Sequence, residues 1–286
     1  MSHMSPDIAE HQFGLDAFRD FEHRGWETLA TPYHQVWGHV TGAFVPPLLA
    51  ALGSIEHRDL LDVATGPGYV ARDARKLGAT VTAIDFSAAM IRQASRLHPF
   101  IRFEVGDAHS LRFPDGSFDA VVSNFGMQHF SDPGRVLSEF ARVLRPGGIC
   151  AFTIWAGNDV NCAGDVLDRA LALEAEGQTA VPAGPDYHQL TDADARRGLL
   201  RHAGFEECRQ ASSLATLPWS LNHVDDLFNA EIQGSVRSGA RLREQTAEAQ
   251  ARIRTSMAAM IAERFSIEGG GYELPLAAHI VVGRLS

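Results

Sequence analysis

The chain has 286 residues, 45% of them hydrophobic and 21% charged, and a formal net charge of -10 at pH 7. This is the composition of a folded globular protein, and scattered arginines with a single lysine, Lys76, offer no basic stripe for a nucleic-acid backbone. Three cysteines without a CxxC pair argue against a disulfide framework and against a metal site and favour a reducing cytoplasm, and no apolar run reaches the roughly 18 residues of a membrane span.

The opening residues Met1-Ser-His-Met4 read as a cloning scar. Beyond them, residues 5–56 have no place in a sheet pattern. Thr31-Pro32 is expected to start a helix on which Tyr33, Trp37, Val40 and Phe44 recur at spacings of three and four, one aromatic face suited to packing. From Arg58 onward, short apolar runs alternate with helical stretches, which predicts a parallel sheet covered by helices on both faces.

The expected strands are Asp59 to Val63, Thr80 to Asp85, Ile101 to Val105, Phe118 to Ser123 and Gly148 to Trp155. Between them lie helices near Val70 to Leu77, Ala88 to Leu97 and Pro133 to Leu144. Ser87 and Asp132 are in place to cap the second and third of these, and Pro133 suits a first helical position. Arg209 to Leu217 and Glu273 to Arg284 read as two further strands, and the stretches at about 157–200 and 219–271 as insertions that cap the sheet. In the second insertion Ile253, Met257, Met260 and Ile261 form another apolar stripe.

The stretch LLDVATGPGYVA, from Leu60, leads a strand into a glycine turn. Gly66 and Gly68 would let backbone approach a ligand closely, and the helix that follows presents free N–H groups, so a dinucleotide or any ligand with an anionic end could use the turn. Asp62, inside the strand, disfavours a pyrophosphate and favours an ammonium group or water, hence an amino-acid-like ligand. Asp85, ending the second strand, stands where this architecture places an acceptor for ribose hydroxyls. Gly106-Asp107-Ala108 ends the third strand, where a carboxylate could accept from an adenine amino group.

In order, LLDVATGPGYVA, AIDFSAAM, VGDAHSL, FDAVVSNFGMQHFSDP and RVLRPGG resemble the class I S-adenosylmethionine-dependent methyltransferases, and within them the ubiquinone and menaquinone biosynthesis type. The resemblance spans Arg58 to Trp155. It implies a Rossmann-like, mostly parallel seven-stranded sheet of order 3-2-1-4-5-7-6 with the last strand antiparallel, and S-adenosyl-L-methionine as cofactor. It also divides the chain into a helical lid, residues 5–56, and a methyltransferase domain, residues 57–286.

Carried over by position, the resemblance puts Asp62, Ala64, Gly66 and Gly68 around the methionine part of the cofactor, and Asp85 on the ribose. Phe86 and Met90 would flank the adenine, Asp107 and Ala108 would read its edge, and Asn124 and Phe125 would close over the methionine. Tyr33 and Trp37 would belong to the lid. Each has a plainer reading as well: Phe86 and Met90 as core, Asn124 as a turn residue, Asp107 as a helix cap.

Of thirteen histidines, His129 follows the fourth strand at the edge where such sheets bind ligands, which makes it the candidate general base and equally a packing residue. His34, His39 and His188 are expected at the surface. The implied reaction is methyl transfer to a small organic molecule, in biosynthesis of a quinone or other secondary metabolite. The other reading is a natural-product enzyme that keeps the cofactor and catalyses a non-methylating reaction such as cyclisation. A nicotinamide enzyme would want a glycine at Ala71 and no Asp62. The acceptor is expected to be neutral or weakly polar, because the cap segments read as poor in positive charge. The oligomeric state is open, a homodimer included.

Overall fold

The sheet is built from strands whose residues are apolar on both faces, as a layer covered on each side requires. β1 (Asp59–Val63), β2 (Thr80–Asp85), β3 (Arg102–Val105), β4 (Phe118–Asn124) and β5 (Leu144–Trp155) run parallel in the order β3-β2-β1-β4-β5. β6 (Phe205–Glu207) and β7 (Ser213–Leu221) both pair with β8 (Tyr272–Leu285), which runs antiparallel to them and to β5. The computed structural model describes residues 6–177 and 179–286, with side chains from residue 14 on, so the Met1–Met4 segment lies outside the described residues.

The strand order agrees with the expected one once β8 is counted as the strand inserted beside β5, but among the described residues eight strands replace seven. The expected Arg209 to Leu217 strand is divided. β6 pairs with Leu285, Arg284 and Gly283, the chain leaves the sheet over residues 208–212, and β7 resumes opposite Ile280. Those two pieces share one edge of a single long partner.

The helices are α1 (Pro6–Val36), α2 (Gly38–Ala43), α3 (Val45–Ala51), α4 (Tyr69–Lys76), α5 (Ala88–Leu97), α6 (Pro133–Val143), α7 (Cys162–Glu174), α8 (Ala193–His202), α9 (Asp226–Gly234), α10 (Arg237–Arg243) and α11 (Ala247–Phe265). The Ser87 hydroxyl accepts from the Met90 amide at 3.2 Å, and Asp132 accepts from the Arg135 amide at 2.9 Å, so both expected caps form. Thr31-Pro32 does not start a helix: α1 runs straight through Pro32 and stops only at Val36. A proline removes one backbone donor, and here tertiary contacts along α1 outweigh that loss.

Three apolar clusters hold the layers together. On one face Val136, Leu137, Phe140 and Val143 of α6 pack with Phe152, Ile154 and Phe205. On the other, Leu48, Leu49, Val70 and Ala74 of α3 and α4 pack with Leu60, Ala120 and Ile149. β8 serves both, Val281 facing the first cluster and Ile280 and Val282 the second. The third cluster joins β7 and β8 to the caps, where Trp37, Val40 and Phe44 meet Leu167, Trp219, Phe228 and the α11 stripe of Ile253, Met257 and Ile261, with Met260 at its margin. Both stripes therefore pack.

α8 packs on α6 and β6, and Arg196 pairs with Glu207 at 3.2 Å. Phe140 is fully buried at the centre of the first cluster, and Phe140→Ala should cost about 3 to 5 kcal/mol of unfolding free energy in urea titration. A loss below about 1 kcal/mol would show that this face collapses around the gap.

Candidate functional site

Open parallel sheets bind ligands beyond the carboxyl ends of their strands, at the point where the strand order reverses. Here that point lies between β1 and β4. Each strand is followed directly by a non-glycine residue with left-handed backbone, Ala64 at φ 56° and Phe125 at φ 58°. Such residues are uncommon, and their clustering at a strand crest marks a shape held by its surroundings. A side chain at Gly126 would lie 2.8 Å from the Ala64 Cβ and 2.4 Å from the Ser123 hydroxyl, so only glycine allows the two turns to approach this closely.

The glycine turn is tied to its neighbour by one carboxylate. Asp85 accepts from the Gly66 amide through one oxygen and from the Ser87 amide through the other, each at 2.9 Å. Asp62, fully buried, accepts from the Thr65 hydroxyl at 2.6 Å and the Ala71 amide at 3.1 Å, both through Oδ2, while Oδ1 has no partner among the described residues. An orphaned acceptor at this depth is short of a donor such as water or an ammonium group. Gly66 faces open space. Gly68 does not: its φ is 84°, and a Cβ there would meet the Phe103 ring at 2.8 Å.

These elements enclose a cavity of about 610 Å³. It is lined by Tyr33, Trp37, Ala64, Gly66, Asp85, Phe86, Met90, Asp107, Ala108, Asn124, Phe125 and His129. Asp62 and Gly68 are not on its wall; they support the turn from behind. Asn124 reaches the wall with its amide already committed, donating to the Thr41 carbonyl at 3.0 Å and accepting from the Thr153 hydroxyl at 2.6 Å. Phe125 stacks on Trp155 with ring centroids 4.1 Å apart.

Several wall residues have no counterpart in the sequence reading. Arg19 of α1 forms an ion pair with Asp107 at 2.6 Å, and Trp26 lies edge-on to both Tyr33 and His129. His188, expected at the surface, lines the cavity beside Tyr187. The cap is not poor in positive charge either. Arg241 pairs with Asp168 at 2.7 Å, Arg237 lies over the rings of Phe18 and Tyr187, and the buried Glu231 accepts from the Ser238 hydroxyl at 2.5 Å. An arginine and glutamate at i, i+3 followed by Trp26 and Tyr33 form a helical stripe along α1, the one signal that could have revealed this wall.

The strand-end acids differ in their electrostatics. Burial raises Asp62 to about 7, with the neighbouring Asp85 charge adding to it and the Thr65 and Ala71 donors opposing. Burial likewise raises Asp85 to about 6 against the Ser87 and Gly66 amides. At Asp107 burial also works upward, but the His109 ring and amide and the Arg19 guanidinium outweigh it and hold the carboxyl near 2. Tyr33 is pushed up to about 12 by burial, its hydroxyl 2.9 Å from that of Thr41.

Asp62 and Asp85 thus bind protons more tightly folded than unfolded. Their contribution to stability is complete below the ordinary value of 3.8 and fades as pH rises through about 6 and about 7. Asp62→Asn should therefore flatten the loss of stability of the ligand-free protein between pH 4 and pH 7, followed by thermal melting. An unaltered slope would mean that Asp62 is ionised throughout that window.

Comparison with known proteins adds to this geometry. Residues 61–152 match the family described as methyltransferase domain. The chain is 34% identical over 159 residues to demethylmenaquinone methyltransferase of Chlorobaculum tepidum, covering 52% of this chain and 65% of that protein. It is 39% identical over 113 residues to malonyl-[acyl-carrier protein] O-methyltransferase of Pseudescherichia vulneris, covering 40% and 45%. The chain thus spans less than two thirds of these curated relatives. The YcgJ protein of Bacillus subtilis shares the fold, with a TM-score of 0.55 at 18% identity over 86% of this chain and 98% of that one. Residues 61–152, which carry the glycine turn and the central strands of this sheet, are thus a match to the methyltransferase domain family.

Proposed function

We propose that the protein transfers the methyl group of S-adenosylmethionine to a small organic acceptor, a quinone precursor or another secondary-metabolite intermediate. The observation that carries this reading is a single cavity of about 610 Å³ that joins the glycine turn and strand-end acids to a chamber walled by Trp26, Trp37, Trp155 and Tyr187. The residues fit the cofactor. Gly66 leaves open space where its chain would pass, and the orphaned Asp62 Oδ1 calls for a donor behind the turn.

The bound cofactor supplies an electrophilic methyl on a sulfonium sulfur. The protein's part is to align an acceptor atom with it in a water-poor space. Asp85 would take the ribose, Phe86 and Met90 would enclose the adenine, and Asp107 with Ala108 would read its edge beside Arg19. Ala64, Gly66 and the backbone of Asn124 and Phe125 would surround the methionine. His129, on the wall, is the candidate base. The relatives' names, a demethylmenaquinone and a malonyl-carrier enzyme, support methyl transfer and leave several acceptors open.

Residues 5–56 are read as a lid, with Tyr33 and Trp37 on its inner side and the caps at about 157–200 and 219–271 completing the chamber. Arg19 on Asp107 and the Glu27 carboxylate accepting from the Ala89 amide at 3.1 Å support that reading. No helix among the described residues is long and apolar enough to cross a membrane. Three free cysteines favour a reducing, cytoplasmic setting.

Calorimetry should show S-adenosylhomocysteine binding more tightly than NAD, and Asp85→Ala should weaken that binding by about 1.5 to 3 kcal/mol. Preferred binding of NAD would sink the reading, and an unchanged affinity in the variant would remove Asp85 from it. With an acceptor found, product mass separates methylation from cyclisation. Limited proteolysis should cut α1 more slowly when S-adenosylhomocysteine is bound; equal rates would leave α1 a packing element only.

A further inference from the structure

The wall residue His129 is held from behind by a carboxylate that no motif contains. Glu22, on α1, is fully buried. Its Oε2 accepts from the Trp26 indole N–H at 2.9 Å and lies 3.0 Å from His129 Nδ1, across 107 residues of sequence. Its Oε1 has no partner among the described residues. The His129 side chain remains 21% exposed and lines the cavity, with the Trp26 ring edge-on at 5.1 Å and the Tyr187 ring at 6.4 Å. Nε2 makes no hydrogen bond to any described residue.

We infer that Glu22 is the positioning residue that makes His129 a general base for an acceptor bearing an acidic hydroxyl, a phenol or an enol. This inference rests on the proposed methyl transfer. An ionised carboxylate can only accept, so the hydrogen of the neutral imidazole is held on Nδ1 and the lone pair is left on Nε2, at the cavity side. The two aromatic rings fix the imidazole plane. A base oriented by a third group in this way is the general arrangement for activating a weak nucleophile.

The step balances within the site. The acceptor oxygen forms its bond to the methyl carbon as the carbon–sulfur bond breaks, and that electron pair leaves with sulfur as a neutral thioether. The hydroxyl proton passes to His129 Nε2, and the resulting imidazolium faces the Glu22 carboxylate. Aromatic walls at Trp26, Trp37, Trp155 and Tyr187 suit a flat, ring-bearing acceptor. Because Glu22 belongs to α1, the base is complete only when that helix lies over the sheet crest.

The test reads the tautomer first, and needs no acceptor. In protein labelled with nitrogen-15 histidine and loaded with S-adenosylhomocysteine, His129 should be the Nδ1–H tautomer where it is neutral. Glu22→Ala should convert it to a mixture. An Nε2–H tautomer in the unaltered protein, or no change on removing Glu22, overturns the inference, and the first of these stands even if the variant fails to fold.

With an acceptor established, His129→Ala should lower kcat by roughly 100-fold or more, and Glu22→Ala by between about 10-fold and that amount. The double variant should be no worse than His129→Ala alone. Losses that multiply would overturn the pairing. Absence of any cofactor binding by the unaltered protein would instead overturn the proposed function, so the two failures are distinguishable.

Discussion

Everything at the site depends on the close contact of two turns at the crest of the sheet. Ala64 and Phe125 directly follow adjacent parallel strands in left-handed backbone, and Gly126 lets those ends meet without a side chain between them. The contact has a cost of order 1 to 3 kcal/mol for each strained residue, so the surrounding structure must over-determine it. The Asp85 carboxylate does so on one side by gripping the Gly66 and Ser87 amides, and Thr153 does so on the other by donating to Asn124 while accepting from the Phe125 amide at 2.9 Å.

That rigid crest explains the division of labour in the chain. The sheet and its two flanking clusters make a fixed floor, and the material that varies in an α/β protein, α1 and α2 with α7 and α9 to α11, makes the roof. The roof has its own apolar cluster, so it is packed rather than draped. Trp37 shows how floor and roof are joined: its ring sits among Trp155 and Trp219 while its indole N–H donates to the Ala230 carbonyl at 3.0 Å.

The floor was legible in the sequence, and of the roof only the apolar stripes were, for a physical reason. Strands β1 to β5, the caps Ser87 and Asp132 and the strand-end acids rest on local chemistry: apolar runs, short-range hydrogen bonds and turns that need glycine. Asp62 and Gly68 were rightly tied to the turn by their positions, yet no local rule says that they stand behind it and not on the wall. Glu22, Arg19 and Arg237 act through partners far away in sequence, and on a helix surface such residues look like any solvated polar stripe. Pro32 misled because helix propensity is weak beside the tertiary packing of α1.

The place of β8 has a consequence for the order of assembly. It lies between β5 and the β6 and β7 pieces, all of which precede it in the chain. While the protein is being synthesised, β5 therefore keeps an unpaired edge, and β6 and β7 have nothing to join until residues 272–285 exist. An open parallel sheet edge invites pairing with another molecule. The Trp37 indole must also wait, since the Ala230 carbonyl that receives its N–H arrives late. The nascent chain thus carries an exposed β5 edge and an unanchored Trp37 together, which exposes it in this interval to aggregation and to chaperone capture.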